Sequence, residues 1–208
     1  MKVCVFAETL SFDRIIYQAL CQRIFKECYS YHAIEFVDHS FEPNGKGQLI
    51  KQVPTQIDVQ FDLNPDIDLI IIFIDSDNLS PQTQRSQLRR ELNDVKFPQG
   101  SIIIAAPKRN IESWLISDIE AVNAVSGLSL PEFPKAELIA DPKAEFNNIY
   151  RSTHNVDIKS VFATNIISKA HIFKLFTHSL AFRTFHEHVR QFIHDKEPSR
   201  AHATHIVY

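Results

Sequence analysis

Apolar positions along this chain follow two different patterns, and the change between them divides the sequence. In the first part, short unbroken apolar runs alternate with stretches at helical spacing. Val3 to Ala7 is such a run and suits a strand buried on both faces. Glu8 ends it, and Ser11 and Asp13 supply a cap and a first-turn acid. Ile15, Ile16, Ala19, Leu20 and Ile24 then recur at helical spacing, which predicts a helix over 12–28. Ala33 to Val37 reads as a second strand. Residues 39–48 carry Pro43, Asn44, Gly45 and Gly47 and read as a loop. Over 49–62, Pro54 and β-branched residues compete with a helical pattern, and the balance falls to helix.

Asp68 to Asp75 is the clearest element. Its centre, Leu69 to Ile74, has no polar alternation, so it predicts a central parallel strand. Ser80-Pro81 forms an N-cap and N1 pair for a polar helix to Asn93, with Leu88 and Leu92 facing inward. Ser101 to Ala106 repeats the buried-strand pattern, and Asn110 can cap a helix through Trp114 and Leu115. Strand–helix–strand alternation predicts an α/β fold for 1–117, a small parallel sheet flanked by helices. After 117 the pattern is helical only: 142–152, 158–177 and 179–194, beyond a loop marked by Pro131 and Pro134. Residues 118–208 therefore read as a helical appendage packed on the core, with the tail 195–208 docked on it. Phe173, Phe176, Phe182, Phe185 and Phe192 are expected in the core, and Trp114 as a packing anchor.

Composition removes some chemistry. Four glycines in 208 residues is far below the usual share of about 7%. Gly45, Gly47, Gly100 and Gly127 build neither G-x-G-x-x-G nor G-x-x-x-x-G-K-[ST], so the two commonest glycine-cradled phosphate sites are excluded. A net charge of −3 gives no global basic field, so nucleic acid would need a local patch, a metal or a partner. Cys4, Cys21 and Cys28 form no C-x-x-C pair and read as reduced thiols of a cytoplasmic protein. The run between Lys2 and Glu8 is too short for a signal peptide, and no stretch is long enough to span a membrane.

Three acidic features fall at or just past strand ends: Glu8, Asp75-Ser76-Asp77, and Glu112. Open parallel sheets build sites at the carboxyl ends of their strands. In extended chain Asp75 and Asp77, at i and i+2, point the same way. Hard oxygen ligands of this kind suit Mg²⁺ or Mn²⁺, and crowded carboxylates need a cation to stay ionised. Each acid alone also suits a plain turn, cap or solvated first-turn position. The ordered set says more than any member.

That set resembles DUF4276, a Toprim-related family of uncharacterised bacterial proteins. The family opening E-G-x-T-[DE]-E matches Glu8-Thr9-Leu10-Ser11-Phe12-Asp13, with Thr9 where the family has glycine. Its D-x-D matches Asp75-Ser76-Asp77. Its E-[AS]-W-L-[LI]-[AS]-D matches Glu112 to Asp118, the most specific segment, and S-x-[SA]-F-x-x-F resembles Ser179 to Phe185. The resemblance implies a Toprim-like fold and a divalent-metal-dependent phosphodiester hydrolase acting on nucleic acid, in a bacterial defence setting. It implies that Glu8 moves the proton, that Asp75 and Asp77 hold Mg²⁺ or Mn²⁺, and that Glu112 is an extra ligand or a structural acid. Lys108 and Arg109, beyond a strand end, are candidate phosphate contacts or a solvated loop pair.

Two other classes compete. One is a non-catalytic partner subunit of an ATPase-containing defence or mobile-element system, which the mild acidity and Thr9 suit. The other is a receiver-like signalling domain, with Asp75 as phospho-acceptor and Lys108 beside it. Receivers usually carry an acidic pair after strand one and a further strand between Asp and Lys, and here only Glu8 and one helix are available. Seven of ten histidines lie at or after 171. His186-Glu187-His188 lacks H-E-x-x-H spacing, and His202 and His205 have no matching Cys or acid, so the pattern does not favour zinc.

Overall fold

A computed structural model of the chain describes residues 1–29, 34–132, 136–153 and 158–196. Among them, four strands form one wholly parallel sheet in the order β2-β1-β3-β4. The strands are β1 (Lys2–Phe6), β2 (Glu35–Phe36), β3 (Leu69–Phe73) and β4 (Ile102–Ala105). Val3 pairs with Leu69 and Phe6 with Ile72, while Ile70 pairs with Ile102 and Phe73 with Ala105. The fold is α/β, with helices on both faces of the sheet.

The unbroken apolar runs are explained by two cores, one per face. Cys4, Phe6, Ile70, Ile72, Ile74, Ile102 and Ile104 face one way, onto Leu49, Val53 and Ile57 of α2 (Lys46–Leu63) and Leu88 of α3 (Pro81–Glu91). Val3, Val5, Leu69, Ile71, Phe73 and Ile103 face the other, onto α1 (Ile15–Tyr29) and the helices after β4. A polar residue in these strands would be buried on either face. Ser80 caps α3 as its sequence predicts, accepting the Thr83 N–H at 3.0 Å. Cys4, Cys21 and Cys28 are free and buried, and burial pushes the Cys4 thiol up to about 12.

Helix α2 starts at Lys46, earlier than the apolar pattern predicts, and carries Pro54 inside it. Leu49, Val53, Ile57 and Gln60 keep one buried stripe through the proline, so packing outweighs the lost backbone bond. Strand β2 spans two residues, shorter than the predicted 33–37, and residue 33 lies outside the described residues.

Beyond β4 come α4 (Glu112–Leu115), α5 (Ile119–Ser126), α6 (Pro142–Ser152), α7 (Lys159–Lys169), α8 (Ile172–His178) and α9 (Leu180–Lys196). They share one hydrophobic cluster with the sheet face and α1. Trp114 is 1% exposed and sits at its centre, stacked on Phe185 at 5.8 Å and edge-on to Phe182 at 5.2 Å. Phe182, Phe185 and Phe192 are core residues, but Phe173 is 46% exposed. The predicted tail 195–208 falls outside the described residues after Lys196. No described helix is long and apolar enough to cross a membrane.

The single helix predicted over 158–177 is broken at Ala170–His171 into α7 and α8. The cause is Asp118, which is wholly buried. Its carboxylate accepts the His171 backbone N–H at 2.7 Å and the Ala121 N–H at 3.3 Å, with Lys174 Nζ 3.7 Å away. A charged acceptor takes the amide that would have continued the helix. Asp118→Ala removes the acceptor of the buried Ala121 amide and of the His171 amide and is expected to lower unfolding stability by about 2 kcal/mol. Urea denaturation measures this, and an unchanged midpoint would refute the latch.

Candidate active site

All four strands are parallel, so their carboxyl ends meet at one edge, and the acids follow there. Glu8 lies two residues past β1, Asp75 two past β3, and Glu112 opens α4 after β4. Asp13 joins them through a π-helical turn, Leu10–Arg14, that precedes α1. Thr9 caps that turn: its hydroxyl accepts the Asp13 N–H at 3.1 Å and donates to the Asp13 carboxylate at 3.0 Å. Thr9 has φ −135°, an extended backbone that any residue adopts. No glycine is needed at this position.

Glu8 and Asp75 are spliced directly. The Asp75 backbone N–H donates to Glu8 Oε1 at 3.1 Å, across 67 residues of sequence. Burial raises the Glu8 carboxyl, that hydrogen bond opposes the rise, Asp13 and Asp77 add to it, and Lys46 opposes it. Asp13 is raised by burial, against its bond to Thr9, with Glu112 raising it further. Asp75 is pushed well above the usual carboxylate range, first by burial and then by Glu8, Asp13, Glu112 and Asp77. Each of those four charges is negative. Tyr17, stacked on Phe73 at 3.7 Å, is likewise raised by burial and by Asp75, Asp13, Glu112 and Glu8. Four carboxylates therefore share one field at the sheet edge.

Asp77 behaves differently. The chain is not extended there: Asp77 has φ +46°, in the left-handed region. Its side chain is 58% exposed and is ion-paired with Lys46 Nζ. The same ammonium lies 3.4 Å from the Asp75 carbonyl. The i, i+2 argument for Asp75 and Asp77 thus fails on backbone geometry, although the two charges still influence each other. Asp77 is held by the neighbouring loop. Its N–H donates to the Arg109 carbonyl at 2.9 Å, the Arg109 N–H to Ser76 Oγ at 2.9 Å, and the Ser76 N–H to the Pro107 carbonyl at 3.3 Å. Arg109 is also left-handed, at φ +65°.

Glu112 is 3% exposed and has Lys159 Nζ 3.5 Å away. That ammonium also lies over the rings of Phe12 at 4.5 Å and Phe146 at 5.3 Å. Lys108 and Arg109 are half-buried at the rim, and among the described residues neither side chain makes a hydrogen bond or ion pair. Glu8, Asp75 and Glu112 were visible in sequence as acids at or just past strand ends, whereas Asp13 read only as a first-turn acid. Lys46 carried no signal beyond Gly45 before it, and Lys159 none at all, being 47 residues from its partner.

Among the described residues, no three His, Cys, Asp or Glu side chains converge closely enough to cage an ion. The donor chemistry nonetheless fits a hard cation. Mg²⁺ commonly takes one or two carboxylates and fills its shell with water and phosphate oxygens. Asp75 and Asp77 are the residues that could serve it, with Glu8 bonded to the Asp75 N–H.

The raised Asp75 carboxyl has a consequence for stability. Its folded value lies above its unfolded value of about 4. Between those values the folded chain binds more protons, so stability falls as pH rises through that window. Asp75→Asn removes the effect. The variant is expected to melt higher than wild type at pH 8, with the gap closing toward pH 4, in thermal scans across that range. A gap that does not change with pH would refute it. Comparison with known proteins leaves the site to be read from its own geometry: no family model, no curated protein and no solved structure matches this chain.

Proposed function

We propose that the acidic cleft is a Toprim-like, divalent-metal-dependent site that hydrolyses phosphodiester bonds in nucleic acid. The observation that carries this reading is Asp75: a half-buried strand-end carboxylate whose ionisation Glu8, Asp13, Glu112 and Asp77 all oppose, joined through its own N–H to Glu8. Such a group stays ionised only when a cation shares the site. Asp75 and Asp77 would hold Mg²⁺ or Mn²⁺, with Glu8 beside Asp75 as the group that moves the proton. When bound, the ion supplies Lewis-acid stabilisation of charge on a phosphodiester.

The chain's own residues do the rest. Glu8, raised by burial, is suited to take or give a proton. Lys46 sits between the Asp75 carbonyl and Asp77 and can exchange its carboxylate partner for a phosphate oxygen. Lys108 and Arg109 at the rim carry side chains free for a nucleic-acid backbone. Lys159 keeps Glu112 paired, which places that acid in the wall of the cleft. Thr9 in ordinary extended geometry removes one ground for an inert site. Bacterial defence is the setting that the resemblance implies for such an activity.

The test is nicking of supercoiled plasmid, and cleavage of single-stranded DNA and RNA, with Mn²⁺ or Mg²⁺. Cleavage is expected to fall at least about 100-fold in Asp75→Asn and in Glu8→Gln. The rate is expected to decline as pH drops through the raised Glu8 value. No metal-dependent cleavage of any of these substrates by the folded protein would overturn the proposal.

A further inference from the structure

A second charged feature lies along the free edge of the sheet. Strand β4 is last in the strand order, and among the described residues it pairs with β3 alone. Helix α3 packs on it from one face and α9 from the other. Along this seam Arg85 and Arg89 of α3, with His188 of α9 close enough to feel both, form a cationic strip. We infer that this strip binds the sugar-phosphate backbone of nucleic acid and leads it toward the acidic cleft, an inference that rests on nucleic acid being the substrate of that cleft.

Topology aims the strip. Strand β3 ends at the acidic edge, so α3 starts there, at Pro81, and runs back along β4. Arg89 reaches the far end of β4, where its Nη2 donates to the Ile102 carbonyl at 3.2 Å and its Nη1 to Gln99 Oε1 at 3.4 Å. Arg85 lies one turn earlier on the same helix face, about 6 Å nearer the acids along the axis. Lys108 and Arg109 follow the other end of β4, at the rim. The cations therefore mark out the length of the strand, from its amino end to the cleft.

Charge says what the strip fits. Residues Pro81 to Arg90 hold three arginines and no acid, in a chain whose net charge is −3. Arg85 and Arg89 are half-buried, and burial disfavours both charges. Among the described residues neither is paired with a carboxylate: Arg89 bonds neutral oxygens, and the Arg85 side chain makes no hydrogen bond or ion pair. Burial and then both arginines lower the His188 imidazole, with Glu187 opposing them, so at neutral pH His188 adds an uncharged ring and no third repulsion. Half-buried cations side by side with no acid favour an anion beside them. Their exposed neighbours on α3 are Gln82, Ser86, Gln87 and Arg90. Amides, hydroxyls and guanidiniums are the groups that contact phosphate and sugar without reading bases. A strip that extends along a whole strand matches a repeating polyanion better than a single phosphate.

Fluorescence anisotropy of labelled duplex DNA, single-stranded DNA and RNA, titrated with the full chain in EDTA over a range of NaCl, tests this. Saturable binding to at least one of them is expected, with log Kd changing linearly with log salt. Arg85→Gln is expected to weaken that binding about five-fold and to lower the salt slope by about one, whereas Arg85→Lys keeps the slope. Arg85 makes no hydrogen bond in the fold, so both variants are expected to fold. Metal plays no part in EDTA, so Arg85-dependent binding by a chain that cleaves nothing would remove the hydrolase and keep the strip. No binding to any of the three, or an unchanged affinity and slope in Arg85→Gln, would overturn the strip even if the wild-type chain cleaves.

Discussion

Everything at the carboxyl edge of this sheet follows from concentrating negative charge where water has been removed. A parallel sheet brings its carboxyl ends to one side, and here Glu8, Asp75 and Glu112 come with them, joined by Asp13. Like charges in a half-buried place are expensive to keep ionised. The fold eases this in three ways. A backbone N–H binds Glu8, Lys46 takes Asp77, and Lys159 takes Glu112. Among the described residues the Asp75 carboxylate has no ion pair of its own, and all four neighbouring acids act on it.

The loops that shape this edge hold a backbone that ordinary residues avoid. Asp77 and Arg109 both sit at positive φ without being glycine. Each such residue costs on the order of 1–3 kcal/mol. The β3–β4 ladder is extended past the strands to hold them. Ile74 N–H meets the Ala105 carbonyl at 3.0 Å, and the pairing continues through Ser76, Pro107 and Arg109. The buried Ser76 between the two acids is part of this zipper, which gives the middle residue of D-x-D a structural task.

Much of this was legible in the sequence, for physical reasons. Strands buried on both faces must be apolar at every position, so Leu69 to Phe73 and Ile102 to Ala105 announced themselves. Acids directly after such runs marked the edge. What stayed hidden depends on distant partners or on unusual backbone. The break at Ala170–His171 is made by Asp118, 53 residues earlier. The outward turn of Asp77 comes from a left-handed φ that no glycine advertised. Pro54 argued against a helix that tertiary packing preserves. Lys46 and Lys159 look like any surface lysines until the chain folds.

The pairing of Lys159 with Glu112 also bears on the order in which the protein is completed. As the chain emerges from its N-terminus, the last strand is in place at Ala105 and Glu112 follows at once. Its counter-charge is a further 47 residues away, on the same helix that packs against α1. Until α7 arrives, the growing chain holds an acid that belongs inside with nothing to neutralise it, beside a tryptophan whose aromatic partners on α9 are still to come. The sheet can form early, but its acidic edge is closed only by the last helices, so they are a wall of the cleft and not an ornament to it.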